Sequence, residues 1–416
     1  MGDVEGGFTE TSHENYCQRL GGALCGVVFG LALFLAAGPA LWWNEGRAVF
    51  TARTLEEGMA NVVEAPCAAP NSSLDGRLVH VSCPLENLAN FSYVGGAVRA
   101  DLAVFARAEV QLWQWEERSH SEKESTVGGG TTTKTTYTYA RDWKSTPVDS
   151  GAFKRPQGHA NPPATAWPLR SDTRWATAAR VGAYALGGRL LHQVTSASAV
   201  PLPSPWPDSG PFRPAFPQPP KELTPATVRP SGDGWLYSYD VQQGDPPVGA
   251  VRARFQRSSA VEASVLGRQV GAAFEPWSAP GVREGYDILD LAEGRASAQA
   301  MFAQLVAENE ATTWALRLVF FLVAWGGLVA LTGPASVAPD VVPFLGPIVG
   351  DLVGCLLGTA MFFVALAYTM AVVAVAWLRF RPLVGAAALA VAVAGALAYA
   401  KLRQRRRDGP KEGELM

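Results

Sequence analysis

The sequence predicts an α+β membrane protein: four transmembrane helices, one N-terminal and three C-terminal, with a large, mainly β lumenal domain between them. Three observations predict this. Residues 20–43 run for twenty-four positions without a charge, and three more apolar runs crowd the last quarter of the chain. The stretch between them alternates with a period of two, as half-buried strands do. Charged residues make up only 17% of the 416, against about 25% in ordinary globular chains, so apolar residues are concentrated somewhere.

The first apolar run, as a helix, covers about 36 Å, enough to span a bilayer with some tilt. A cleaved signal peptide is the competing reading, but its leader is basic and its apolar stretch only about 7 to 15 residues. Here the leader, 1–19, carries Asp3, Glu5, Glu10 and Glu14 against Arg19 alone. An uncleaved anchor follows, with Trp42 and Trp43 at the interface.

The remaining spans are predicted at 312–332, 352–378 and 382–400. Arg317 is placed near a headgroup, reached by snorkelling. Residues 333–351 form a cytoplasmic connection and 379–381 a tight lumenal turn. The tail at 401–416 holds Lys401, Arg403, Arg405, Arg406 and Arg407 directly after the last span. By the positive-inside rule that end is cytoplasmic, and so, with four spans, is the N-terminal tail. Five cations beside a helix also attract anionic membrane lipids.

Residues 44–311 are then lumenal. Two acceptor triplets for glycosylation begin there, at Asn71 and Asn90. Cys67 and Cys83 lie in the same part, where an oxidising compartment permits a bridge; Cys17, Cys25 and Cys355 are expected to stay reduced. Strands are predicted at 77–82, 103–115, 135–143, 184–194, 234–239, 248–257 and 260–270. In 103–115, Val104, Ala106, Ala108, Val110, Leu112 and Gln114 share one face. Residues 119–136 read as a mobile glycine-threonine loop, and 201–230 as an extended proline-rich insert. From about 295, helix formers run unbroken into the second span.

Chemistry is sparse in the sequence. The formal charge of -2 gives no basic field for nucleic acid. Five cysteines without a CxxC pair remove the common zinc patterns. No HExxH, GxSxG or phosphate-loop motif occurs, so no catalytic residue, metal or cofactor is predicted; His159 is read as a turn residue and Asp351 as interfacial.

Two groups of residues stand out. Asn44, Glu45, Gly46 and Arg47 form a membrane-exit motif: either Gly46 takes a left-handed turn and Arg47 meets phosphates, or the segment clamps the domain to the bilayer. Gly22, Gly26 and Gly30, and again Gly350, Gly354 and Gly358, each make two GxxxG steps. These faces are expected to pack on each other or across a homo-oligomer.

Several segments together resemble the transmembrane protein 43 family, also called LUMA. They are NEGRAVFTARTLEEG at 44–58, GRLVH at 76–80, VQLWQWEE at 110–117, Tyr137, Tyr139 and Trp143, GHANP at 158–162, VGAVRARF at 248–255 and RPL at 381–383. The resemblance covers nearly the whole chain from the first span to the last. It implies a self-associating multi-pass protein of the endoplasmic reticulum and inner nuclear membrane. It further implies a scaffold role in nuclear-envelope organisation, with emerin and lamins as partners. The proline-rich stretch, the glycine-threonine loop and Cys67 with Cys83 depart from the family pattern. A channel or transporter component, or a membrane-embedded lipid enzyme, is the alternative.

Overall fold

The computed structural model describes residues 5–126, 130–203, 229–230, 234–238, 245–341 and 346–407. The expected proline-rich insert and the centre of the glycine-threonine loop lie largely outside them. Among the described residues there are four long helices: α1 (Tyr16–Asn61), α2 (Ala298–Val337), α3 (Gly346–Phe380) and α4 (Pro382–Arg407). By length and composition, α1, α2 and the Val349–Phe380 part of α3 are long and apolar enough to cross a membrane.

Helix α1 begins at a capping box, in which Asn15 Oδ1 accepts from the Gln18 amide at 2.9 Å and Gln18 Oε1 accepts from the Asn15 amide at 3.0 Å. It does not stop at the expected exit. The helix runs on to Asn61 because residues 44–61 contain strong helix formers and no proline. Its inner face also buries Val49 and Leu55. Gly46 is therefore helical rather than a left-handed turn; a Cβ there would lie 3.0 Å from the Phe380 ring. Helix α2 starts beyond the Ser297 cap and continues without a break into the apolar bundle. The pairs Gly30 with Gly327, Glu45 with Arg317 and Gly58 with Phe302 fix the two helices as antiparallel.

The β part contains two principal sheets. Its main strands are β1 (Glu5–Glu14), β2 (Leu78–Glu86), β3 (Phe105–Ser125), β4 (Thr131–Lys144), β5 (Val251–Ser258), β6 (Glu262–Val270) and β7 (Asp290–Glu293). The first sheet runs β1, β4, β3, β5 through antiparallel pairs. In the second, β6 pairs with β7 on one side and β2 on the other. A chain of short strands also links β6 to β2, closing a ring. The predicted inner face of β3 is buried from Val104 to Gln114 at every second position, as pleat alternation requires. Val104 and Phe105 join the core of the second sheet, with Val81, Val265 and Tyr184.

Two expectations are corrected. Residues 119–136 are not a long loop: β3 extends to Ser125 and β4 starts at Thr131. Threonines favour a pleated ladder, and the Ser121 and Thr135 hydroxyls bond across it at 2.9 Å. The strand expected at 184–194 ends at Ala185, and after Gly187 a helical turn buries Leu190 and Leu191.

The N-terminal tail carries a strand of the first sheet. Strand β1 pairs with β4 from Glu14 opposite Thr131 to Phe8 opposite Tyr137. The hairpin tip meets α1 where it starts: a Cβ on Gly130 would lie 2.9 Å from the Glu14 carbonyl. The other end of α1 packs on Leu78 of β2. Paired strands lie on one side of a bilayer, and this polar hairpin cannot traverse hydrocarbon. A cytoplasmic tail and a lumenal hairpin cannot both hold while β1 and β4 are paired.

Candidate functional site

A polar cluster sits where α1 and α2 leave the apolar bundle for the β domain. On α2, Asn309, Thr313 and Arg317 recur every fourth residue and so share one face. On α1, Asn44, Glu45 and Arg47 face them. Asn44 Nδ2 donates to the Thr313 carbonyl at 3.1 Å, while Asn309 Nδ2 donates to the Ala48 carbonyl at 3.1 Å. Arg47 donates from Nη1 to Asn309 Oδ1 at 3.0 Å and from Nη2 to Thr313 Oγ1 at 2.8 Å. It also reaches Asn44 Oδ1 from Nε and Nη2, both at 3.3 Å.

Beside this network Glu45 is 2% exposed, and a carboxylate so placed must be compensated. Arg317 supplies a two-point fork, Nε to Oε1 at 2.7 Å and Nη2 to Oε2 at 2.8 Å. The Trp377 indole of α3 adds a third donor to Oε2 at 2.9 Å. The Arg317 guanidinium lies 4.6 Å from the Trp314 ring centroid and 5.8 Å from that of Trp377, a cation–π arrangement that shields it further. Arg317 thus does not snorkel to a headgroup, and Arg47 engages α2 rather than phosphates. The result is a three-helix polar clamp. The desolvation of such a buried pair offsets much of its Coulombic gain, so the pair by itself adds little stability.

Next to the clamp, a cavity of about 340 Å³ opens between both helices and the β domain; Arg47, Arg189, Asp290 and Glu308 are among its lining residues. Burial raises the Asp290 carboxyl above its usual range, and the neighbouring charge of Glu308 raises it further. Arg189 Nη1 holds Asp287 Oδ2 at 2.7 Å.

The other expected residues fall elsewhere. Gly30 lies against α2: a Cβ would approach the Gly327 carbonyl to 2.5 Å, whereas Gly22 has open space around it. Gly26 comes 4.0 Å from the Ala330 carbonyl by the same measure. On α3, Gly354 faces Ser336 and Gly350 is buried. The Gly358 carbonyl accepts from the Trp325 indole at 2.9 Å. The first glycine row therefore meets α2, and within one chain the two rows do not meet each other.

Cys67 and Cys83 are disulfide-bonded, with Cα atoms 5.7 Å apart; Cys17, Cys25 and Cys355 are free. Asn71 and Asn90 are exposed on the β domain. Their side-chain oxygens accept from the Ser73 and Leu102 amides at 3.0 and 2.9 Å. Lys401 and Arg403 are exposed on α4, whose backbone continues as helix through Arg407. The side chains of Arg405, Arg406 and Arg407 lie outside the described residues. Asp351 is exposed at the start of α3.

The GHANP segment braces the long hairpin. Asn161 Oδ1 accepts from the Trp115 amide at 2.7 Å, and its Nδ2 donates to the Trp115 carbonyl at 2.9 Å. The His159 ring stacks on Tyr139 at 4.0 Å. No group of three or more His, Cys, Asp and Glu side chains able to hold a metal ion occurs among the described residues. Sequence reasoning missed Asn309 and Thr313. The four-residue spacing of Asn309, Thr313 and Arg317 was the available signal.

Comparison with known proteins adds an independent line. Residues 112–382 match the family model described as transmembrane protein 43. The chain is 30% identical to human transmembrane protein 43 over 386 residues, covering 90% of this chain and 89% of the human one. Mouse transmembrane protein 43 is 30% identical over 388 residues, with 90% and 89% covered. The Drosophila melanogaster homolog is 29% identical over 386 residues, with 89% and 92% covered. No solved structure matches. This chain belongs to the transmembrane protein 43 family.

Proposed function

We propose that this protein is a non-enzymatic, multi-pass scaffold of the endoplasmic reticulum and nuclear envelope, one that couples a folded lumenal domain to a bundle of membrane spans. The observation that carries this reading is mechanical. Helices α1 and α2 each pass unbroken from the apolar bundle into the β domain and are clamped together at the boundary by Glu45, Arg317 and Arg47. Two rigid helices with a buried clamp hold a domain at a set position over a membrane. In this reading α4 is the fourth span, the β domain is lumenal and the basic end is cytoplasmic. The bonded Cys67 and Cys83 and the exposed Asn71 and Asn90 support the lumenal placement. So does the α3–α4 turn, whose Phe380 packs on Trp42 and Phe50 at the domain end of α1. Self-association, emerin and lamins are partners carried over from family resemblance.

Proximity labelling from the C-terminal tail and from the β3–β4 hairpin tests the scaffold. The tail should label cytoplasmic or nucleoplasmic membrane-associated proteins, and the hairpin a separate lumenal set. Identical sets from both positions would sink the topology. The tail strand is resolved by pairing Thr9→Cys with Thr136→Cys, whose positions are in register. A cytoplasmic N-terminus gives no cross-link in sealed microsomes, whereas a lumenal ladder gives a quantitative one.

A further inference from the structure

At the α3–α4 turn a second cavity, of about 350 Å³, opens between α1 and the start of α4. Its level is set by aromatic contacts: Phe380 lies 5.4 Å from Trp42, at the end of the uncharged run of α1. The lining divides by polarity. Val49, Leu383 and Val384 form the apolar side, and Leu383 and Val384 are 86% and 48% exposed, as side chains facing acyl chains would be. Arg53 and Arg381 form the polar side, with Glu56 the acid in the lining. Arg53 donates to the Phe380 carbonyl at 3.4 Å, and the Arg379 guanidinium lies 5.9 Å from the Phe380 ring. Among the described residues, none of these three arginines has a carboxylate within ion-pair distance. Two cations and one acid thus line a cavity at a bilayer boundary beside exposed apolar side chains, with Arg379 next to them in the turn.

We propose that this cavity binds an anionic phospholipid, its phosphate held between Arg53 and Arg381 and one acyl chain lying along Leu383 and Val384. Guanidinium forks match phosphate oxygens two at a time. The apolar side selects a lipid over a free anion, because an inorganic phosphate would leave Leu383 and Val384 facing water. The cations come from α1 and from the α3–α4 turn, so a bound lipid would bridge the first span to the last two. This site lies on the domain side of the bundle, at the opposite end of α4 from the basic tail.

The test uses the full chain in nanodiscs of phosphatidylcholine doped with phosphatidylserine, with retained lipid read by native mass spectrometry. Wild type should retain phosphatidylserine through excess inorganic phosphate. The R53Q/R381Q chain should bind it about thirtyfold more weakly, as loss of two interfacial cations implies. L383E should also weaken it with both arginines intact, while K401Q/R403Q, at the other end of α4, should not. Retention by R53Q/R381Q equal to wild type overturns the proposal. Displacement by inorganic phosphate, or indifference to L383E, overturns the lipid in favour of a free anion. Should the double variant fail to fold, R381Q alone, at an exposed position, decides by the same readout.

Discussion

Glu45 and Arg317, separated by 272 positions in sequence, form a two-point ion pair at 2.7 and 2.8 Å between α1 and α2. The carboxylate is 2% exposed and the guanidinium side chain 15%. Removing one partner strands the other in a dry site. Glu45→Met or Arg317→Leu should each cost about 3 to 5 kcal/mol, while the two together should cost much less than their sum. Thermal unfolding of the four chains in one detergent reads the cycle. Additive losses would mean the pair is not coupled.

Close approach of α1 and α2 depends on Gly30. A Cβ there would stand 2.5 Å from the Gly327 carbonyl, a backbone atom that cannot rotate away. Gly30→Leu should lower stability by at least about 1 to 3 kcal/mol, the usual cost of overpacking. Gly22→Leu, with nothing near, should leave the unfolding midpoint unchanged. A fall in oligomer size on a native gel for Gly22→Leu would then locate a contact between copies.

The Cys67–Cys83 bond closes a 16-residue separation and ties the segment after α1 to β2. A loop of that size constrains the unfolded chain by about 3 kcal/mol. Cys67→Ala with Cys83→Ala should lose that stability, and the wild-type chain should shift on a gel only after reduction. A chain isolated from cells with both thiols freely alkylated would place this segment in a reducing compartment.

Tyr93 gives the β domain an alkaline limit. Burial pushes its phenol up to about 12, and its hydroxyl donates to the Ala106 carbonyl at 2.9 Å. The folded chain therefore holds this proton more tightly than the unfolded chain, whose phenol ionises near 10.0. The contribution is complete below pH about 10 and is lost as pH rises through about 12. Tyr93→Phe should flatten that loss in unfolding curves while costing about 1 kcal/mol at neutral pH for the missing hydrogen bond. An unchanged alkaline slope would assign it to other groups.

Much of this architecture is legible in the sequence because the signals are local. An uncharged run, a proline after Arg381 and the alternation from Val104 to Gln114 each report their own environment. The helix exit expected at Gly46 is not a helix end, because hydropathy marks where a helix leaves lipid, not where it stops. What continues α1 to Asn61 is packing of Leu55 and Gly58 on Leu78, Ile288 and Phe302. Strand β1 left no signal either: its EGGFTETSHE has no apolar alternation, and the ladder is supplied by Thr131 to Tyr139.

By itself, the sequence determined which segments are apolar enough for a membrane, which face of β3 turns inward, and the family, since each rests on residue order alone. Only the tertiary structure decided that Glu45 answers Arg317 rather than Arg47, that Gly30 meets Gly327, and that Arg53 and Arg381 share one cavity. A buried charge takes whichever partner the packed helices bring within reach, and that choice spans hundreds of positions along which sequence spacing carries no distance.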